Sequence, residues 1–216
     1  METPSADTPM LNALEARILG CLVEKAATTP DVYPLTPNAL VLACNQKTAR
    51  EPVMEVDPGE VGSALRRLEV RGWARGEHGA RSERWSHRVE RMLDVTHPQA
   101  CLLALLMLRG PQTLHELVSR SERLHRFADA DDALHALERL AGRETPLVRR
   151  LPRAPGQREE RYAHLLCGEP EDLPVRAGAS GRDHARDAGD DRDALLARIE
   201  ALEARVAALE AANAQG

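Results

Sequence analysis

Aromatic side chains are nearly missing from this chain. Tyr33, Trp73, Trp85, Phe127 and Tyr162 are the whole set, 2% of 216 residues. Single-stranded nucleic acid is held by stacking bases on rings, so that function class is disfavoured, and so are sugar platforms. Long apolar runs are missing too. The longest, Cys101 to Leu108, falls far short of the roughly 20 residues a membrane span needs, and it reads as a buried helix. The four cysteines, Cys21, Cys44, Cys101 and Cys167, form no CxxC pair and read as reduced, mostly buried thiols of a cytoplasmic chain. Residues 1–10 contain Glu2 and Asp7 and no apolar run, so no secretory leader is expected. There is no phosphate loop, nucleotide fingerprint or zinc-helix motif. His115, His125 and His135 are ten apart and share no helical face, and His78 and His87 are placed to face each other across a hairpin without making a metal site. No cofactor, no metal and no catalytic residue is expected, and the chain reads as non-enzymatic. Cys44 has no evident base beside it that would make it a nucleophile.

Hydrophobic residues make up 43% of the chain, and Leu, Ala and Val have to build its cores, which favours helices. Leu11, Leu14, Ile18 and Leu22 recur at helical spacing, with Asn12 and Glu15 as a capping pair. A second helix opens at Thr36-Pro37 and a third at Asp57-Pro58-Gly59-Glu60, the third carrying Val61, Leu65 and Leu68 and ending at Gly72. Trp73-Ala74-Arg75 and Glu83 to Val89 then read as a hairpin. The same order follows a second time. One helix runs from about Pro98 to Arg109, another opens on the capping box Thr113-Leu114-His115-Glu116, and a third spans about Asp129 to Arg143. Strands at Leu147 to Leu151 and Arg161 to Leu166 close this half. Three helices followed by a hairpin, twice, predict a mainly α chain with small β wings, built as two tandem winged-helix domains. The expected divisions are a disordered start at 1–9, domains at 10–93 and 94–168, a flexible linker at 169–190 and a coiled-coil helix at 191–214.

Several stretches resemble the YceH family of bacterial proteins. They are Tyr33-Pro34-Leu35-Thr36, Asn38-Ala39-Leu40-Val41, Ala43 to Thr48, Arg50-Glu51-Pro52-Val53-Met54, Leu108-Arg109-Gly110, Glu138-Arg139-Leu140-Ala141 and Arg158 to Leu165. The resemblance covers about residues 10–168. It implies a tandem winged-helix fold and carries no catalytic or binding residue with it.

Formal net charge is −5, unevenly spread. Residues 66–91 carry eight Arg against four Glu, and residues 139–164 seven Arg against three Glu, while the flanking segments are acidic. These basic blocks fall at equivalent places in the two halves. Winged helices put the third helix in the major groove and the wing against the backbone. Duplex DNA, in the service of transcriptional control, is therefore the expected ligand. The candidate phosphate contacts are Lys47, Arg50, Arg66, Arg67, Arg71, Arg75, Arg81, Arg84 and Arg88 in the first half. In the second half they are Arg149, Arg150, Arg153, Arg158 and Arg161. Acids at the start of each third helix, and glutamates interleaved with the arginines, support the alternative of a protein-interaction scaffold.

Two further segments stand out. The polar stretch Cys44 to Val56 joins the second helix to the third. Asn45 reads as a left-handed helix cap, Arg50 and Glu51 as residues that hold the connector, and Pro52-Val53-Met54 as an extended piece beside the wing. Near the end, Leu195, Ile199, Leu202, Val206 and Leu209 are spaced 4, 3, 4, 3 with β-branched residues at a and leucine at d. That pattern predicts a parallel homodimer, with Arg198 and Arg205 opposite Glu203 and Glu210 of a second copy. The alternative is one amphipathic helix folded back on its own domain.

Overall fold

A computed structural model of the chain describes residues 10–79, 83–153 and 159–169. Helix α1 (Ala13–Thr28) opens on the capping box expected: the Asn12 side chain accepts the Glu15 N–H at 2.9 Å, and the Glu15 carboxylate accepts the Asn12 N–H at 3.1 Å. Helix α2 (Pro37–Cys44) starts under the Thr36 hydroxyl, and α3 (Pro58–Val70) under a second box made by Asp57 and Glu60. Each cap satisfies an N–H that the first helical turn would otherwise leave open. Strands β1 (Ala74–His78) and β2 (Glu83–His87) pair antiparallel, with Gly76 opposite Trp85. His87 lies opposite Ala74 and His78 opposite Glu83, so the two histidines stand at opposite ends of the hairpin rather than across from each other.

The second strand stops sooner than expected. Val89 begins a five-residue helix, α4 (Val89–Leu93), and buries itself with Leu93 one turn later. A single apolar pair four apart is too short a repeat to distinguish from a strand end. The second half then runs α5 (His97–Arg109), β3 (Gln112–Thr113), α6 (Leu114–Ser121), α7 (Ala130–Ala141), β4 (Val148–Leu151) and β5 (Arg161–His164). The Thr113–Glu116 box is formed, and Asp129 caps α7 by accepting the Asp132 N–H at 2.8 Å. The architecture is mainly α with two small antiparallel sheets, as expected. The predicted C-terminal coil lies outside the described residues.

The repeat extends to detail. Leu35 sits just before the capping Thr36 and exchanges backbone hydrogen bonds with Trp85 at 3.0 and 2.7 Å. Gln112 sits just before the capping Thr113 and pairs with Tyr162 on β5. In each half the residue ahead of the second helix thus pairs with the hairpin, as a single bridge in the first half and as strand β3 in the second. The Pro52–Met54 segment, expected in that role, stays outside the sheet.

One apolar cluster runs through both halves, with α1 packed on α5. Ala100 to Leu108 are all buried, so α5 is apolar all round because it is enclosed all round. Among the described residues no helix is long and apolar enough to cross a membrane. The two helices pack tightly at Gly20, where a Cβ would lie 2.9 Å from Leu108 Cγ and 3.4 Å from the Ala104 carbonyl oxygen. Crowding there costs roughly 1–3 kcal/mol, while alanine in place of helical glycine returns about 1 kcal/mol. Gly20→Ala is therefore expected to lose about 1 kcal/mol net, seen as a melting temperature lowered by about 2–4 °C. A raised melting temperature would show that α1 and α5 are not held at this distance.

Candidate functional site

The connector between α2 and α3 is fastened by two buried arginines from the inside. Arg50 is 4% exposed. Its Nε donates to the Ala43 carbonyl at 3.0 Å, its Nη1 to the Ala49 carbonyl at 2.9 Å, and its two Nη groups straddle the Glu24 carboxylate at 3.2 and 2.6 Å. Arg17, one helical turn ahead of Cys21 on α1, is 1% exposed. It donates to the Cys44 carbonyl at 3.1 Å and to the Pro52 carbonyl at 2.6 Å. The Glu51 N–H donates to the Leu108 carbonyl at 2.8 Å, which sews the connector to α5 as well. Burial alone would raise the Glu24 carboxyl, yet the Arg50 fork and Lys25 hold it below the usual carboxylate range. Asn45 ends α2 with ordinary negative φ, not left-handed as expected. Its amide closes the loop instead, donating to the Val56 carbonyl at 2.9 Å and accepting the Val56 N–H at 2.8 Å. The left-handed residue is Ala49, at φ 58°.

Arg50 is therefore no phosphate contact: it is enclosed and its donors are occupied. Other predicted contacts are also engaged within the chain. Arg67 on α3 and Arg71 just past its end both pair with the buried Glu15 of α1, at 3.2 and 3.1 Å, and Arg71 also donates to the Met10 carbonyl. Arg84 folds over the turn at Pro30–Val32 and donates to the Val32 and Pro34 carbonyls at 3.2 and 2.8 Å. Arg161 donates to the Pro111 carbonyl at 3.0 Å. On β4, Arg149 pairs with Glu169, and Arg150 with Glu160 at 3.3 Å. Arg88 is partly buried, and its backbone N–H donates to the Trp73 carbonyl. Lys47, Arg66, Arg75 and Arg153 remain exposed, and among the described residues they pair with no carboxylate. Arg81, Arg158 and the five dimerisation positions Leu195, Ile199, Leu202, Val206 and Leu209 lie outside the described residues. Along α7, Asp131, Asp132, His135, Glu138 and Arg139 are the exposed polar side chains, so its outer face is acidic on balance.

Some apolar groups also reach solvent. Val32 is 56% exposed, Leu42 on α2 is 69%, and Val53 in the connector is 54%. Sequence periodicity hides Leu42, because Leu40, Val41 and Leu42 run together and only the fold says which one faces out.

One further constellation was not read from the sequence. The His97 Nδ1 lies 3.0 Å from the Glu90 carboxylate, and its Nε2 lies 3.6 Å from the Cys101 Sγ. That order resembles a thiol, a base and an orienting acid. The Cys101 thiol is completely buried, however, and burial, then Glu90, pushes it up to about 12. No reacting group can reach it. The spacing of four along α5 was the available signal. Among the described residues no group of three or more His, Cys, Asp or Glu could hold a metal ion.

The chain belongs to the family described as "Protein of unknown function, DUF480", whose model matches residues 11–157. Its relatives are UPF0502 proteins, in keeping with the resemblance to the YceH family. It is 56% identical to the UPF0502 protein of Stenotrophomonas maltophilia (strain K279a) over 216 residues, 100% of this chain and 97% of that relative. It is 56% identical to the one of Azotobacter vinelandii over 203 residues, 94% of this chain and 87% of that relative. With the one of Pseudomonas savastanoi pv. phaseolicola, identity is 51% over 208 residues, 96% of this chain and 92% of that relative.

Proposed function

We propose that this chain is a non-enzymatic protein-interaction module built from tandem winged-helix units. The observation that carries the reading is how the arginines are used. Arg149 and Arg150 each sit beside a carboxylate of their own, which cancels most of their field at the distance of a phosphate, and Arg67 and Arg71 share Glu15, which cancels about half of theirs. Arg50, Arg84 and Arg161 are engaged by carbonyl oxygens. The outer face of α7 would repel a DNA backbone. Exposed Val32, Leu42 and Val53, with Lys47 among them in sequence, offer apolar contacts and one cation to a partner protein. The heptad at residues 195–209 adds a second copy of the chain as a partner.

Duplex DNA is the second reading, favoured by Lys47, Arg66, Arg75 and Arg153, which have no carboxylate partner among the described residues. The full chain is to be titrated with random-sequence duplex at low and moderate salt, beside a Lys47→Glu, Arg66→Glu, Arg75→Glu, Arg153→Glu variant. The expected result is weak binding that the variant barely changes. Tight binding that falls steeply with salt and disappears in the variant would replace the protein-interaction reading with the DNA one. A photo-crosslinker at Leu42 is the positive arm. It is expected to trap one discrete partner, lost on Val53→Asp and kept in the charge variant.

A further inference from the structure

The turn between α4 and α5 joins the two halves, and a cavity of about 560 Å³ lies between it and the end of α7. Asp94, Thr96, Gln99, Arg139 and Arg143 line it. It can be reached from solvent, since Asp94, Thr96 and Arg139 are exposed. Its volume falls within the range of ordinary small-molecule sites. The polar groups around it are mostly donors. Gln99, on the first turn of α5, is only 6% exposed. Its Oε1 is taken up by the cap, accepting the Thr96 N–H at 3.0 Å and the Thr96 hydroxyl at 3.2 Å. Its Nε2 has no partner among the described residues. A largely buried amide thus keeps two N–H groups beside the cavity without an acceptor, which is costly until one arrives. Arg143, just past the end of α7, donates Nη1 to the Asp94 carbonyl at 3.1 Å and Nη2 to the Leu93 carbonyl at 2.7 Å. Those bonds hold its guanidinium in place and leave the Nε–H and one N–H on each Nη to spare. Arg139, in the last turn of α7, has no hydrogen-bond or ion-pair partner among the described residues. Asp94 is the one acid in the lining.

We propose that this cavity binds a small phosphomonoester, its phosphate held by Arg139, Arg143 and the Gln99 amide, and a hydroxyl of its carbon skeleton donating to the Asp94 carboxylate. Guanidinium forks meet phosphate oxygens in pairs. Three separate donor groups match the three terminal oxygens of a phosphomonoester, where a carboxylate offers two. The cavity is far larger than a bare phosphate, which leaves room for the skeleton. Bound there, the ligand ties the turn that joins the two halves to α7. The site does not depend on the protein-interaction reading.

The test titrates the full chain with inorganic phosphate, glycerol phosphate and acetate, with chloride keeping the ionic strength constant, and follows the amide signals by NMR. Saturable shifts are expected at Thr96, Gln99 and Arg143, including the Gln99 side-chain amide. Glycerol phosphate is expected to bind more tightly than inorganic phosphate, and acetate not to saturate. Arg139→Met is expected to weaken phosphate binding about tenfold or more, as for one lost charge-assisted hydrogen bond. Gln99→Glu keeps an oxygen for the Thr96 cap but turns the donor into an acid, and is expected to abolish binding with the melting temperature unchanged. Arg150→Met, whose partner is Glu160, is expected to bind as the parent does. No saturable shift with either phosphate compound, or equal shifts in Gln99→Glu and the parent, would remove the site. Acetate binding as tightly as inorganic phosphate, or glycerol phosphate binding no more tightly, would overturn the ligand class.

Discussion

Arg50→Ala is expected to cost about 3–5 kcal/mol of stability, the range for removing one partner of a buried, hydrogen-bonded ion pair. The truncation leaves the Glu24 carboxylate with only Lys25, at 3.5 Å, and leaves the Ala43 and Ala49 carbonyls without this donor. Urea unfolding of the full chain measures the loss. Two comparisons isolate the cause. Arg150→Ala removes an exposed partner of Glu160 and is expected to stay within about 1 kcal/mol of the parent. Replacing Arg50 and Glu24 together by methionine is expected to cost less than Arg50→Ala alone, since no charge is then stranded. Equal losses for Arg50→Ala and Arg150→Ala would mean that the connector is held by something other than the Arg50 fork.

The two arginines also show where sequence reasoning succeeds and where it stops. Local rules placed the frame. Asn12, Thr36, Asp57 and Thr113 cap the helices they were expected to cap, because a cap depends on residues three positions apart. The duplication was legible for the same reason, as a repeated order of local signals. What a charged side chain does was not legible, because its partner lies far along the chain. Arg50 meets Glu24 and Arg67 meets Glu15 across sequence separations of 26 and 52. A block of arginines reads as a basic patch in one dimension and becomes a set of staples in three. One signal was available for Arg17. It stands in the run from Glu15 to Val23, where every residue is buried, and a run of apolar residues covering all helical faces implies that any charge inside it is enclosed as well.

Lowering the pH from 7 to 5 is expected to remove stability through His164. This residue lies on β5 opposite Val148, and its Nδ1 is buried with no hydrogen-bond partner among the described residues. Burial disfavours the imidazolium and pushes the group down to about 4. In the unfolded chain a histidine titrates near pKa 6.5. Between those values the unfolded state binds more protons than the folded one, so stability rises with pH there and is lost as pH falls. The linkage integral from pH 7 to pH 5 approaches 2 kcal/mol, and partial exposure of the ring brings the expected contribution to about 1–2 kcal/mol. His87, also lowered chiefly by burial, acts in the same direction and is untouched by substitution at 164. His164→Gln keeps a polar side chain of similar reach but has no proton to gain. Its urea midpoint is therefore expected to fall less than the parent's between pH 7 and pH 5, by that difference. Parallel pH dependence in the two proteins would mean that the His164 ring gains its proton as readily in the folded chain as in the unfolded one, and that the acid sensitivity of the fold lies elsewhere.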